Sequence, residues 1–243
     1  IEVKNNTLAY FQAQQRAVTK EDYITRVYAL PPKYGNIAKA YIVQDTQLDS
    51  SSDANSNNRV VNPLALNLYV LGFDANKRLV SVNQAVKENI QTYLTQFRMV
   101  TDAVNIKDAF VINIGVKFNL LTKTGYNKDE VVLRAIQTVK EFFDTDKWQI
   151  GQPIVIADLA YQISLTDGVS AVIAPTDNNE DGLPVLIENK FLESGGYSGN
   201  VYDIRGATKN GVVYPSLDPS IFELKYPNID IEGRVIGDSA GDS

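Results

Sequence analysis

Between Lys20 and Leu30 the apolar residues Tyr23, Ile24, Val27 and Leu30 recur three and four positions apart, the spacing that lines one face of an α-helix. Thr19 supplies a side-chain cap, and Glu21 and Asp22 complement the positive end of a helix dipole. A helix is therefore predicted over about 20–30, with Pro31-Pro32 ending it. Ile37 to Val43 reads as a strand. Asp49 to Asn58 consists of Ser, Asn, Asp and a single Ala, and such side chains compete for backbone hydrogen bonds, which predicts an exposed loop. The pattern then switches to period two: Leu64, Leu66, Leu68 and Val70 alternate with other residues until Gly72 and Asp74-Ala75-Asn76 close the strand. Helical spacing returns at Val82, Val86, Ile90, Leu94 and Phe97, with Ser81 as the predicted cap.

The longest alternation follows. Phe110, Ile112, Ile114, Val116, Phe118 and Leu120 fall on one side, and Val111, Asn113, Gly115, Lys117 and Asn119 on the other, so the strand has one buried and one wetter face. Asn127 or Asp129 opens a helix whose apolar stripe is Val132, Ala135, Ile136, Val139, Phe142 and Phe143. Ile154 to Ile163 is apolar on most sides, and Pro153 at its start favours helix. Asp167-Gly168 turns the chain into a strand over Val169 to Ala174. From about residue 176 Gly, Asn and Tyr increase and helical spacing disappears. Short stretches at Val185–Ile187, Tyr197–Ile204, Gly211–Tyr214, Ile221–Tyr226 and Ile229–Ile236 predict a β-meander, ending in a small, polar tail, Gly237 to Ser243.

This order predicts an α+β fold. A ferredoxin-like split βαβ core, with helices on one face of a mixed sheet, fits residues 1–175, and residues 176–243 form a β-rich C-terminal extension with a flexible tail.

Composition narrows the chemistry. The chain of 243 residues has no Cys and no His. That removes thiolate nucleophiles, disulfides, Cys-based zinc sites and every triad that depends on histidine. A formal net charge of -6, with no cluster of basic residues, disfavours nucleic acid as a partner. No apolar run is long enough to span a bilayer, so no membrane contact is expected. The chain begins at Ile1 and has Met99 as its one methionine, so it is expected to be a piece of a longer protein.

The stretch Arg16-Ala17-Val18-Thr19-Lys20-Glu21-Asp22-Tyr23, ending at Leu30-Pro31 and followed by Ile37-Ala38-Lys39-Ala40-Tyr41, resembles the opening of baseplate J-like proteins from contractile phage tails. Gly151-Gln152-Pro153-Ile154-Val155-Ile156-Ala157-Asp158-Leu159, then Asp167-Gly168-Val169-Ser170-Ala171-Val172, resembles that family's closing helix and strand. The likeness spans about residues 16 to 174. The whole chain is similar to the C-terminal region of the baseplate wedge subunits of T-even-type phages. The resemblance implies a virion tail-baseplate scaffold, assembled in the host cytoplasm. The resemblance also implies a homodimer or higher homo-oligomer that holds other wedge proteins and rearranges on tail contraction, with no catalytic residues to carry over. The alternative is a carbohydrate-binding or glycoside-hydrolysing tail module, which needs a cleft of exposed aromatics with paired carboxylates. Thirteen Tyr and nine Phe, among them Tyr197, Tyr202, Tyr214 and Tyr226, suit interfaces, and equally suit the domain's own core.

Four motifs carry possible chemistry. Asp177, Asn179, Asp181, Gly182 and Glu188 satisfy the calcium-loop pattern D-x-[DN]-x-[DN]-G-x5-E, but strand-like residues and Pro175 precede it where a helix should be, and Pro184 removes a backbone donor in its second half, so an acidic surface turn between two strands is expected. The pairs Asp144/Asp146, Glu21/Asp22 and Glu180/Asp181 are expected to serve helix ends and turns. Gly195-Gly196-Tyr197-Ser198-Gly199 lacks the Lys-Ser/Thr of a phosphate loop and reads as a flexible turn. The lysines of Lys117 to Lys128 read as a solvent face. No catalytic, cofactor-binding or metal residue is assigned.

Overall fold

A computed structural model of the protein describes residues 16–44, 65–99, 102–176 and 182–238. The chain divides into two compact units, Ile1–Ala109 and Phe110–Ser243. The fold is α+β with several sheets, two of them mixed.

In the first unit, helix α1 (Lys20–Tyr28) starts at a capping box: the Asp22 amide donates to the Thr19 hydroxyl at 3.2 Å, and the Asp22 carboxylate accepts the Thr19 amide at 2.9 Å. These bonds to the charged form hold the Asp22 carboxyl below its usual range. A single 3-10 turn, Pro32–Tyr34, follows. Strand β1 (Lys39–Gln44) pairs antiparallel with β2 (Ala65–Phe73), the far end of β2 pairs antiparallel with β3 (Leu79–Val80), and β4 (Ala103–Asp108) pairs parallel with β2. Between β3 and β4 runs α2 (Gln84–Thr95). Its cap is Asn83, whose Oδ1 accepts the Ala85 amide at 3.2 Å, rather than the predicted Ser81. The Val82 amide is held by Asp108 at 3.1 Å, which keeps the chain out of the helix two residues longer. Tyr23 and Val27 of α1, Ile90 and Leu94 of α2 and Ile42, Leu68, Val70 and Val104 of the strands form one buried cluster, so both helices cover the same sheet face. The polar stretch Asp49 to Asn58 lies outside the described residues.

The second unit is organised on β5 (Phe110–Thr122), which pairs in parallel with β11 (Ser220–Glu223) and β12 (Ile231–Asp238). It pairs antiparallel with β7 (Val169–Ile173) and β8 (Val185–Asn189). Ile114, Val116, Phe118 and Leu120 are buried on the predicted face, each worth about 1.5–3 kcal/mol when fully enclosed. Phe110 departs from that expectation and is 48% exposed, while Val111 and Asn113 on the opposite face are buried. Helix α3 (Lys128–Phe142) is capped by Asn127, and its buried stripe is Val131, Ala135 and Val139, rotated from the predicted one. The predicted helix over Ile154 to Ile163 is a short strand β6 (Ile154–Val155) followed by α4 (Ile156–Ser164). β6 pairs with β10 (Val212–Val213), which also pairs with β9 (Thr208–Lys209); α5 (Ile204–Ala207) leads into that hairpin. A last turn of helix, α6 (Pro227–Asp230), precedes β12.

The strands beyond residue 176 are not a meander. β8, β11 and β12 each pair with β5. The stretch Tyr197–Ile204, predicted as strand, has none over 197–203, because its residues bond to the sheet through side chains.

Candidate interaction surface

An Asn-Gly pair borders one recess of the second unit. Asn210 and Gly211 take φ values of 53° and 74°, the two left-handed positions of a tight hairpin turn between β9 and β10. The turn delivers Tyr214, whose amide donates to the Ala207 carbonyl at 3.2 Å and whose carbonyl accepts the Tyr202 hydroxyl at 2.7 Å. The following loop is pinned where the Ser216 amide meets the Ser220 hydroxyl at 3.1 Å. Between these ties lies a hollow of about 530 Å³ walled by Tyr202, Ala207, Lys209, Tyr214 and Leu217. A second, of about 240 Å³, is walled by Phe110, Ile112, Asn200, Val201 and Asp218, and the two share Tyr202 and Ser216.

The rims are apolar and open to solvent. Leu217 is 73% exposed, Val201 74%, Tyr214 50% and Phe110 48%. Apolar side chains gathered in this way mark surfaces that associate. Burial, assisted by the charge of Asp203, pushes the Tyr202 phenol above its usual value, so it stays a hydroxyl at physiological pH. Among the described residues Asp218 is the one carboxylate lining either hollow.

Of the tyrosines singled out from sequence, Tyr197 and Tyr226 stack edge-to-face at 5.3 Å, and both bind Asp230, Tyr197 through its hydroxyl and Tyr226 through its amide at 2.8 Å. They serve the domain's own packing. Tyr214 serves the surface. Sequence reasoning missed Phe110, Val201 and Leu217, and left unused the Asn210-Gly211 dipeptide, the turn signal beside the recess.

The other motifs fall as follows. Asp177, Asn179, Glu180 and Asp181 lie outside the described residues; Gly182 has φ of 62°, and Glu188 accepts Lys117 at 3.0 Å and Lys190 at 3.6 Å. Lys117 also meets Glu232 at 3.8 Å, so this lysine joins three neighbouring strands through side chains on the wetter face. Asp144 accepts the Asp146 amide at 3.1 Å, a turn contact, and Glu21 and Asp22 stand in the first turn of α1. Gly196 and Gly199 have φ of 80° and 76° within the Gly-rich turn. Among the described residues no group of three or more carboxylates is placed to hold a metal. No helix of the described residues is long and apolar enough to cross a membrane.

No family model matches the chain, and no curated protein does. Among solved structures the chain is similar to one in the cryo-EM structure of the anti-feeding prophage (AFP) baseplate, six-fold symmetrised, with a TM-score of 0.53 and 10% identity. The match covers 90% of this chain and 40% of that one, so this chain spans less than half the length of its structural neighbour. At that identity the likeness is one of fold.

Proposed function

We propose that the chain is a structural protein of a phage-tail baseplate, a self-associating wedge or ring subunit that holds neighbouring baseplate proteins and carries out no reaction of its own. The observation that carries this reading is the fold shared, over 90% of the chain, with a chain of a prophage baseplate. The motifs resembling the baseplate J-like family support it, since they coincide with the capped start of α1 and with β6 and α4. In this reading residues 1–175 are the baseplate J-like portion and 176–243 the extension. The exposed Leu217, Val201, Tyr214 and Phe110 supply an apolar face for a neighbouring subunit. Rigid-body movement at such faces accompanies tail contraction.

Light scattering over about a hundredfold range of concentration tests this reading. The chain should self-associate, and Leu217→Glu should weaken association by about tenfold or more while leaving the circular dichroism spectrum unchanged. A chain that stays monomeric throughout, and is retained on immobilised cell-surface glycan, would overturn it.

A further inference from the structure

The main-chain ladder between β5 and β8 ends at Ile114 and Asn189. Beyond it, residues 190–203 still run beside Val111 and Asn113, but apart from one main-chain bond, from the Lys190 amide to the Asn113 carbonyl at 2.8 Å, the contacts are of another kind. The Val111 carbonyl accepts the Ser198 hydroxyl at 2.8 Å and the Asn200 side-chain amide at 2.9 Å. The Ser198 amide donates to Asn113 Oδ1 at 2.8 Å, and the Tyr202 amide to Asn189 Oδ1 at 3.0 Å. The Tyr197 hydroxyl reaches Asp230.

None of the residues from Lys190 to Asp203 is buried; of those that flank or receive them, Ile204 at 6%, Asn113 at 0% and Asp230 at 2% exposure are buried, and Asn189 is half-buried. The apolar side chains in the segment point to water, with Leu192 60% and Val201 74% exposed. Apart from Tyr197, edge-on to Tyr226, and Tyr202, tilted against Phe222, the segment is fastened by polar ties, and it contributes no fully buried side chain, the signature of a region that opens locally. We propose that residues 190–203 form a strap that lifts as one unit from the β5 edge, between fixed ends at Asn189 and Ile204, while the sheet beneath stays paired. Lifting bares the Val111 carbonyl and the Asn113 side chain. It also reshapes the smaller hollow, because Asn200, Val201 and Tyr202 are part of that wall. The device depends on the tie pattern alone and holds whether or not the chain belongs to a baseplate.

Hydrogen exchange of the full chain in increasing sub-denaturing urea tests it. The Ser198 and Tyr202 amides should exchange about tenfold or more faster than those of Val116 and Phe118, with little dependence on urea. Asn200→Ala, which removes one tie from a partly exposed site, should speed Ser198 and Tyr202 by about threefold or more, as loss of one ordinary hydrogen bond gives, and leave Val116 and Phe118 unchanged. If strap and β5 amides share one rate and one urea dependence, or if the variant moves both sets together or neither, the strap does not open independently and the proposal fails.

Discussion

Asn113 and Glu223 face each other across the parallel pair β5–β11, the amide Nδ2 donating to the carboxylate Oε2 at 2.8 Å with exposures of 0% and 3%. The carboxamide also accepts the Ser198 amide, so one side chain serves two segments. Replacing Asn113 by Leu leaves both groups without it, and a buried carboxylate deprived of a donor is costly. The expected loss is about 3 kcal/mol, read by urea denaturation with the fluorescence of Trp148, the only tryptophan. The double variant Asn113→Leu/Glu223→Leu should recover part of it, because the buried carboxylate goes with its lost donor while the Ser198 amide still lacks Asn113 Oδ1.

Trp148 is 5% exposed and packs on Phe142 and Phe143 at centroid distances of 5.8 and 5.3 Å. Its indole N–H is buried and meets no hydrogen-bond partner among the described residues. Trp148→Phe keeps an aromatic ring there and removes the unmet donor, so the cost should be below about 1 kcal/mol. Trp148→Ala should lose about 3–5 kcal/mol. Denaturation followed by far-ultraviolet circular dichroism compares the two.

Tyr23 donates to Asp102 at 2.7 Å, and burial first, then that hydrogen bond and the Asp102 charge, push its phenol from 10.0 to about 12. The folded chain therefore holds this proton to higher pH than the unfolded chain does. The stabilisation is complete below about pH 10 and is lost as the pH climbs toward about 12. Tyr197, raised by burial and by Asp230, adds to the loss above pH 10.0. Tyr23→Phe should flatten part of the alkaline decline in unfolding free energy, and a decline of unchanged slope would contradict the assignment.

Gly168 has φ of 90°, and a Cβ there would lie 2.6 Å from Val131 Cγ2 and 2.7 Å from Tyr126 Cδ1. Gly125 has φ of 88° with nothing within 4 Å. Gly125→Ala should cost about 1–2 kcal/mol from the left-handed backbone alone. Gly168→Ala should cost that plus about 1–3 kcal/mol of overpacking, a difference visible in melting midpoints.

What could be read from sequence was what local chemistry decides. Thr19 with Asp22, Asn127 before α3 and the alternation through β5 each impose structure within a few residues, and each stands where expected. Where the reading failed, a distant residue decided. Asp108 shifts the start of α2 from Ser81 to Asn83. The strap buries Val111 and Asn113 on a face that alternation alone makes wet, and β4, with only Val104 and Ile106 in alternation, is too short to announce itself. The surface at Leu217 and Val201 was hidden because exposure is a property of assembled loops.

Asn113 and Glu223 are separated by 110 positions in sequence, and β5 receives both of its parallel neighbours from the last quarter of the chain. During synthesis, β5 therefore leaves the ribosome long before the strands that close its parallel side exist. Until they arrive it is a long, apolar, half-paired strand, which makes the second unit slow to mature and dependent on a complete transcript. Truncation before Ser220 would leave a chain that keeps all of Ile1–Ala109 yet has a bare strand prone to pairing with strangers.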